Sequence, residues 1–225
     1  MKPMDDRHFA ILRRHMVEVV EIYADLMSEE IGKDTLDPRV LAAMMRVPRH
    51  RFVPAPLVPH AYQDAPLPIG FDKTISQPLI CALMTDLLAP ERTDAVLEIG
   101  TGLGYQAAIL AELVGRLWSV EVVEELATDA ALRLGELGYA NITLRIGDGS
   151  RGWAEHAPYD RILVTAAAAT VPTALIEQLR PGGRMVMPVG PTDGQELTVI
   201  DKTGTGELRA RSVIPVRFTP LETVI

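Results

Sequence analysis

The sequence predicts an α/β fold with a mostly parallel, doubly wound sheet, an antiparallel C-terminal hairpin and an N-terminal helical extension. From residue 76 onward, short apolar segments alternate with segments of helical periodicity, which is the pattern of βαβ units. The first 75 residues lack this alternation and combine helical periodicity with a proline-rich stretch. We therefore divide the chain into helices and a loop at 1–75 and a core at 76–225, which together form one structural unit.

Two helices are predicted in the N-terminal region. Apolar residues from Phe9 to Leu26 recur at three- and four-residue steps, as in an amphipathic helix. Asp37 and Pro38 begin a second helix, because aspartate favours the N-cap and proline the first helical position. That helix should end before Pro48. Residues 48–70 are predicted to form an ordered loop with extended pieces, since apolar residues anchor it.

The core is predicted from its alternating periodicities. It begins with a helix over residues 78–88. The further predicted elements are strands 95–99, 117–122, 142–146, 160–165 and 184–189, and helices 105–114, 124–137 and 171–179. Residues 180–183 (Arg-Pro-Gly-Gly) predict a turn. The final strands, 196–201 and 208–217, flank a glycine-containing segment typical of a hairpin.

Composition and charge exclude several classes of protein. The 225 residues are 48% hydrophobic and include one cysteine, Cys81, which excludes an internal disulfide and a multi-cysteine zinc site. The net charge of −8 disfavours unspecific nucleic-acid binding, which requires clustered Lys and Arg. The densest basic stretch, residues 46–51, is interpreted as a solvated turn. No apolar run approaches the ~20 residues that span a bilayer, so we expect a cytoplasmic protein with no nucleic-acid or membrane partner.

The turn from residue 100 to residue 105 (Gly-Thr-Gly-Leu-Gly-Tyr) is the most informative segment. Glycines at a strand-to-helix turn allow a nucleotide-like ligand to approach the backbone closely. Tyr105 stands where a dinucleotide fingerprint has its third glycine, which disfavours a dehydrogenase. Glu98, just before the turn, offers a carboxylate to a cationic ligand and would repel a pyrophosphate. S-adenosylmethionine, which carries an ammonium and a sulfonium, suits this chemistry.

Two further acids follow the next strands. Glu121 ends the second strand, where a carboxylate can accept hydrogen bonds from ribose hydroxyls, and Asp148 closes the third, where an acceptor can meet the adenine amine. Each acid alone is as well explained by helix capping or solvent exposure. Three acids at successive strand ends beside a glycine turn favour a nucleoside cofactor site.

Several motifs resemble the protein-L-isoaspartate O-methyltransferase family. The segments 61–70 and 73–78 (Lys-Thr-Ile-Ser-Gln-Pro) are similar to its substrate-side signature, and 98–108 to its cofactor loop. Later motifs follow in the family's order as far as Leu221. The resemblance implies a Rossmann-like class I methyltransferase core, with residues 1–75 on the substrate side. It also implies S-adenosylmethionine as the methyl donor and, as acceptors, L-isoaspartyl or D-aspartyl residues of damaged proteins and peptides, which are repaired through a succinimide.

The resemblance also implies roles for individual residues. Ser76 is the predicted catalytic residue, and it lies at a helix start that favours an anion; its alternative role is to cap that helix. The predicted cofactor-binding residues are Thr74, Ile75, Ser76, Glu98, Gly100, Gly102, Gly104, Glu121, Val122, Asp148 and Gly149. The predicted substrate-binding residues are Leu67, Ile69, Ser76, Val216 and Phe218. No metal is expected.

The expected chemistry requires orientation and no buried base. An aspartyl carboxylate, with an ordinary pKa near ~4, is already ionised at neutral pH. Lys73 is interpreted either as attracting an acidic substrate or, more simply, as facing solvent, and Leu103 stands where the family often has a serine. Two alternatives remain open. One is a carboxyl methyltransferase of a peptide natural product or small-molecule acid, and the other is a binding protein that retains the fold.

Overall fold

The computed structural model describes residues 5–223, in which helices cover both faces of a seven-stranded sheet. The helices are α1 (Asp6–Leu26), α2 (Ser28–Ile31), α3 (Pro38–Arg46), α4 (Pro78–Leu88), α5 (Tyr105–Leu113), α6 (Glu124–Glu136) and α7 (Thr173–Gln178). The strands are β1 (Leu67–Gly70), β2 (Lys73–Ile75), β3 (Ala95–Ile99), β4 (Arg116–Glu121), β5 (Ile142–Ile146), β6 (Tyr159–Val164), β7 (Leu179–Val189), β8 (Gln195–Lys202) and β9 (Leu208–Val216).

The strand order of the large sheet confirms the predicted fold class. The order is β5-β4-β3-β6-β7-β8-β9. The first five strands in this order are parallel, and β8 and β9 add as an antiparallel hairpin. The chain moves outward from β3 through β4 to β5 and then returns to β6 on the other side of β3. That reversal opens a crevice at the carboxyl ends of β3 and β6, where open α/β sheets bind ligands.

The N-terminal helices α1 and α3 pack against each other and against α4 and α5, which cover one face of the sheet. Asp5 caps α1 by accepting hydrogen bonds from the backbone amides of Arg7 and His8, and Asp37 caps α3. The buried stripe of α1, which includes Met16 and Val20, belongs to the same hydrophobic cluster as the central strands. The division of the chain at residue 75 nevertheless remains a prediction.

The proline-rich stretch is more ordered than the sequence predicts. It forms two short 3₁₀ helices, Arg49–Phe52 and Ala55–His60, and then β1. β1 pairs with β2 as an antiparallel hairpin. The turn between them holds Phe71 and Asp72 in the left-handed region, at φ 53° and 55°, a conformation that non-glycine residues rarely adopt and that gave no signal in the sequence.

Two local predictions are wrong. Residues 180–183 do not form a separate turn, because β7 already begins at Leu179 and passes through an irregular register against β6. The basic stretch at 46–51 is not a solvated turn, because Arg49 is fully buried while its neighbours Arg46 and Arg51 are exposed. No helix within residues 5–223 is both long and apolar enough to cross a bilayer.

Candidate active site

A cleft of about 540 Å³ opens at the carboxyl ends of β3, β4 and β6. The glycine turn after β3 and the end of β4 form one wall, and the β1–β2 hairpin with the C-terminal segment forms the other. Its lining includes eight residues of the predicted site or its neighbourhood: Ile69, Lys73, Thr74, Gly100, Gly102, Glu121, Val122 and Gly149. The structure thus assembles most of the predicted donor site from four separate parts of the chain.

The glycine turn has no room for side chains where it meets the cleft. Gly100 has a φ of 94°, and a Cβ there would lie 2.4 Å from Thr165 Oγ1. Gly102 has a φ of 55°, and its Cβ would lie 3.3 Å from the side chain of Ile69. Gly104 instead packs against α6, where a Cβ would come within 3.1 Å of Leu134. Gly100 and Gly102 therefore shape the cleft, and Gly104 packs the helix behind it.

Glu121 ties the end of β4 to the glycine turn. Its carboxylate accepts hydrogen bonds from the backbone amides of Gly102 at 2.7 Å and of Val122 and Val123 at 3.0 Å. The side chain is almost fully buried yet still borders the cleft. Because Oε1 accepts from both Val122 and Val123 while Oε2 accepts only from Gly102, Oε2 keeps a lone pair for a ligand hydroxyl.

Glu98 lies behind the glycine turn and not in the cleft. It is fully buried, and it accepts a hydrogen bond of 2.5 Å from Ser119 Oγ, which lies 2.6 Å from Thr101 Oγ1. Burial raises the pKa of Glu98 to about 8, and the charge of Glu121 adds to the shift. Glu98 therefore supports the turn from behind, burial favours the protonated form of its carboxyl group, and its predicted contact with a cationic ligand stays a prediction.

Asp148 also acts locally in the structure. Its carboxylate accepts hydrogen bonds from the Ser150 amide at 2.9 Å and the Ser150 hydroxyl at 2.7 Å. Its neighbour Gly149 lines the cleft, and a Cβ there would lie 2.3 Å from Ile99 Cγ2. Asp148 therefore shapes the segment that carries Gly149, while its predicted contact with adenine stays a prediction.

A second cavity, of about 1020 Å³, adjoins the first. Its lining includes Ser76, Val216 and Phe218, and it shares Thr74 and Thr165 with the donor cleft. A smaller space of about 380 Å³ lies between the two and brings Ile75 and Ser76 opposite the glycine turn. A ligand in the first cleft and another in the second would therefore meet beside Thr74 and Thr165.

Ser76 is half-buried at the mouth of the second cavity, two residues before α4 begins. The alternative role of helix cap is contradicted, because Gln77 occupies the N-cap position and the Leu79 amide donates to Asp64 instead. Within residues 5–223 the Ser76 hydroxyl has no hydrogen-bond partner, whereas its carbonyl accepts a 2.8 Å bond from the buried Arg49. The hydroxyl is thus available to a ligand.

Of three other residues singled out from the sequence, Leu103 and Lys73 border the site and Leu67 does not. Leu67 lies in the hydrophobic core and lines neither cavity. Leu103 is buried and borders the small space beside Ser76. Lys73 does not simply face solvent: it forms an ion pair with Glu222 and lines the donor cleft with it.

Sequence reasoning missed Thr165 and the segment from Thr219 to Glu222 as parts of the site. Thr165 borders all three spaces, and its hydroxyl donates to the Gly100 carbonyl at 2.7 Å. A signal for it existed, because Thr165 is a polar residue directly after an apolar strand, as Glu121 ends β4. For the C-terminal segment the only signal is the family resemblance, which reaches Leu221 but does not place the segment over the cleft.

A donor cleft of this shape belongs to a known class of proteins. A glycine turn at the switch point of a parallel sheet, with a carboxylate at the next strand end and an antiparallel final hairpin, defines an S-adenosylmethionine-dependent methyltransferase of the Rossmann-like class. Within the described residues, no group of three or more His, Cys, Asp or Glu side chains is arranged to hold a metal ion.

Comparisons with known proteins identify the family. The family model described as protein-L-isoaspartate(D-aspartate) O-methyltransferase matches residues 22–224. Protein-L-isoaspartate O-methyltransferase 1 of Polaromonas sp. is 50% identical over 97% of this chain and 93% of its own length. The corresponding enzyme 2 of Syntrophobacter fumaroxidans is 53% identical over 96% of this chain and 88% of its own. The chain belongs to the protein-L-isoaspartate(D-aspartate) O-methyltransferase family.

Solved structures agree with this assignment. One protein-L-isoaspartate O-methyltransferase superposes with a TM-score of 0.80 at 28% identity, covering 92% of this chain and 65% of the other. A putative Plasmodium falciparum protein, solved in complex with S-adenosyl-L-homocysteine, shares the fold with a TM-score of 0.76 at 20% identity, covering 93% of this chain and 98% of its own. The predicted family, fold and methyl donor are thereby confirmed. The chain is an enzyme that transfers a methyl group from S-adenosylmethionine to isoaspartyl residues.

Proposed function

We propose that the two cavities divide the reaction between them, with the methyl donor in the cleft beside Gly100 and Gly102 and the isoaspartyl side chain of a damaged protein in the cavity beside Ser76. The observation that carries this assignment is the shared wall: Thr74 and Thr165 border both cavities. When bound, S-adenosylmethionine supplies a methyl group on a cationic sulfur. The chain's task is to aim one carboxylate oxygen at that methyl group.

The donor residues fit this assignment. Gly100, Gly102 and Gly149 line the cleft without side chains, which lets a nucleoside lie against their backbone. Glu121, held by three backbone amides, presents a fixed acceptor for ribose hydroxyls. Ile99, Val120 and Leu126 add an apolar lining to the same cleft, which suits the faces of an adenine ring. The residues that are present therefore fit the donor.

The acceptor residues supply orientation. The Ser76 hydroxyl, without a partner among the described residues, is placed to donate a hydrogen bond to one oxygen of the substrate carboxylate. Val216 and Phe218 line the same cavity and offer apolar contacts to the peptide chain. Because the carboxylate is already ionised at neutral pH, the step needs alignment and the exclusion of water, and alignment alone is worth up to about 7–11 kcal/mol in intramolecular models.

The product accounts for the biological role. Methylation of the isoaspartyl carboxylate makes an ester. A backbone amide nitrogen of the substrate attacks this ester and displaces methanol to form a succinimide, and hydrolysis of the succinimide regenerates some normal aspartate. We propose that the partners are proteins and peptides damaged in this way and that the enzyme acts in the cytoplasm. The net charge of −8 disfavours a nucleic acid as the substrate, and the apolar Val216 and Phe218 in the acceptor cavity suit a peptide chain.

The test uses paired peptides that differ only in aspartate or isoaspartate. We expect base-labile methyl ester on the isoaspartyl peptide alone. We expect Ser76→Ala to lower kcat/KM for that peptide about 10- to 100-fold, as for loss of one orienting hydrogen bond, while the affinity for S-adenosylhomocysteine changes less than about twofold. Ser212→Ala, on the exposed edge strand β9, is the matched control. Equal labelling of both peptides would rule out the repair function, and a large loss of S-adenosylhomocysteine affinity would move Ser76 to the donor side.

A further inference from the structure

Arg49 is a buried cation that the reaction, as described so far, does not use. Its side chain has no exposure to solvent. Its Nε donates to the Ala61 carbonyl at 2.8 Å, and its Nη2 donates to the Ser76 carbonyl at 2.8 Å. Within residues 5–223 its Nη1 has no hydrogen-bond partner, and no carboxylate forms an ion pair with it. A charge buried in this way costs stability, so stability does not explain it.

The guanidinium joins three segments of the chain, two of which border the site. Ala61 follows the second 3₁₀ helix, and Ser76 belongs to the acceptor cavity. The guanidinium carbon also lies 4.7 Å from the ring centroid of Tyr105, the first residue of the helix that follows the glycine turn. Arg49 is therefore bonded to the acceptor side and stacked on the donor side, at the point where the small space between the cavities is lined by both Ser76 and Tyr105.

We infer that Arg49 is a positioning residue for methyl transfer, which fixes the Ser76 backbone relative to the glycine turn and so aims the Ser76 hydroxyl. The planar fork is essential to this role, because two of its nitrogens reach two carbonyls in fixed directions while its face stacks on a ring. A lysine has a single charged nitrogen without that plane. The inference rests on the proposed role of Ser76.

The experiment is a double-mutant cycle between Arg49→Gln and Ser76→Ala, read as kcat/KM for the isoaspartyl peptide. We expect Arg49→Gln to lower kcat/KM about 10- to 100-fold, because a displacement near 1 Å has effects of that size. If Arg49 acts by aiming Ser76, the double variant is nearly as active as Ser76→Ala alone. If Arg49→Gln acts only through lost packing, the fold losses of kcat/KM in the two single variants multiply in the double variant, and that result would overturn the inference.

A second arginine variant keeps the test decisive if Arg49→Gln does not fold. Arg49→Lys retains the charge without the fork, and we expect it to remain about 10-fold slower than wild type with kcat reduced more than the affinity for S-adenosylhomocysteine. Wild-type activity in Arg49→Lys would overturn the inference. The control is Arg51→Gln, in the same 3₁₀ helix as Arg49. It removes an exposed ion pair with Glu136 and is expected to keep full activity.

The two proposals fail in different ways. If Ser76→Ala keeps full activity, the proposed role of Ser76 is wrong, and Arg49 cannot act through it. If Ser76→Ala is slow but its effect multiplies with that of Arg49→Gln, only the inference about Arg49 is wrong.

Discussion

The donor and acceptor sides of the site are built in different ways. The wall of the donor cleft that carries the glycine turn comes from one continuous stretch, in which β3, the glycine turn, α5 and β4 follow one another. Backbone hydrogen bonds hold it, such as the one from the Gly100 amide to the Val120 carbonyl at 2.9 Å. The acceptor side gathers segments that are far apart in the chain, and single side chains tie them together.

Those ties are specific and few. Asp64 holds the start of α4 through Gln77 and Leu79. The Gln195 side chain accepts from the Phe218 amide at 2.6 Å and donates to its carbonyl at 3.0 Å. The difference teaches that the donor side should be sensitive to added atoms and buried charge, whereas the acceptor side should be sensitive to the loss of single polar side chains.

The largest expected effect tests the buried carboxyl of the donor side. A glutamate titrates near pH ~4.3 in an unfolded chain, but the pKa of Glu98 is about 8 in the folded protein. The unfolded state is therefore ionised first, and native stability falls as pH rises from about 5 to about 8, by on the order of 4 kcal/mol in all.

Glu98→Gln removes this titration, so its stability relative to wild type should increase across that pH range. Urea unfolding at pH 5, 6.5 and 8 measures the difference. The same pH dependence in both proteins would mean that Glu98 is ionised in the folded state.

The second prediction tests how closely the donor fits the glycine turn. Gly100→Ala places a Cβ 2.4 Å from Thr165 Oγ1 at a φ of 94°. The turn must shift, and we expect the affinity for S-adenosylhomocysteine to fall about 100-fold, in line with a strained backbone worth about 1–3 kcal/mol. Isothermal titration calorimetry measures the affinity for S-adenosylhomocysteine. Gly204→Ala, where an added Cβ meets nothing within 4 Å, should bind as wild type, and equal affinities of the two variants would refute the tight fit.

The third prediction tests the ties of the acceptor side. Asp64→Ala leaves the Leu79 amide without its partner, and we expect a loss of about 1 kcal/mol in the free energy of unfolding together with a severalfold higher KM for the isoaspartyl peptide. Asp37→Ala removes the cap of α3 and should cost similar stability with no change in KM. If the two variants change KM equally, general destabilisation explains the effect and Asp64 is not a specific tie.

The smallest expected effect concerns the ion pair between Lys73 and Glu222, which joins the two segments that border the donor cleft on the acceptor side. Partly exposed pairs are worth at most about 1 kcal/mol. Glu222→Gln should therefore raise the dissociation rate of S-adenosylhomocysteine about two- to fivefold, measured by stopped flow at low salt. Glu207→Gln, from an exposed pair with Arg209, serves as the control. A dissociation rate that is unchanged by Glu222→Gln would mean that the ion pair between Lys73 and Glu222 does not slow release of the ligand.

The two sides also differ in how far the sequence predicts them. Gly100, Gly102, Glu121 and Gly149 were found from their positions at strand ends, and all four border the donor cleft. The same reasoning predicts that Glu98 faces the ligand, but the side chain lies behind the turn, because position in a strand does not reveal which face a side chain occupies when both faces are buried. Val96 of β3 packs in the larger hydrophobic cluster. Glu98 is two residues further along the strand, so its side chain lies on the same buried face of the sheet.

The acceptor side was predicted through family resemblance and only in part. Ser76, Val216 and Phe218 meet in one cavity as expected, but Leu67 lies in the core. The sequence predicts a solvated Arg49, because it lies in a basic stretch that contains proline and histidine. Its burial depends on Ala61, Ser76 and Tyr105, which approach it only after the chain has folded.

The sequence by itself determined the order of strands and helices, the glycine turn and the carboxylate after β4, because these depend on periodicity and on residues close together in the chain. Only the tertiary structure decided the protonation of Glu98, the burial of Arg49 and the place of Thr165 and Glu222 in the site. The physical reason is that desolvation and contacts between distant segments arise from packing, which sets the surroundings of a side chain after its local conformation is fixed.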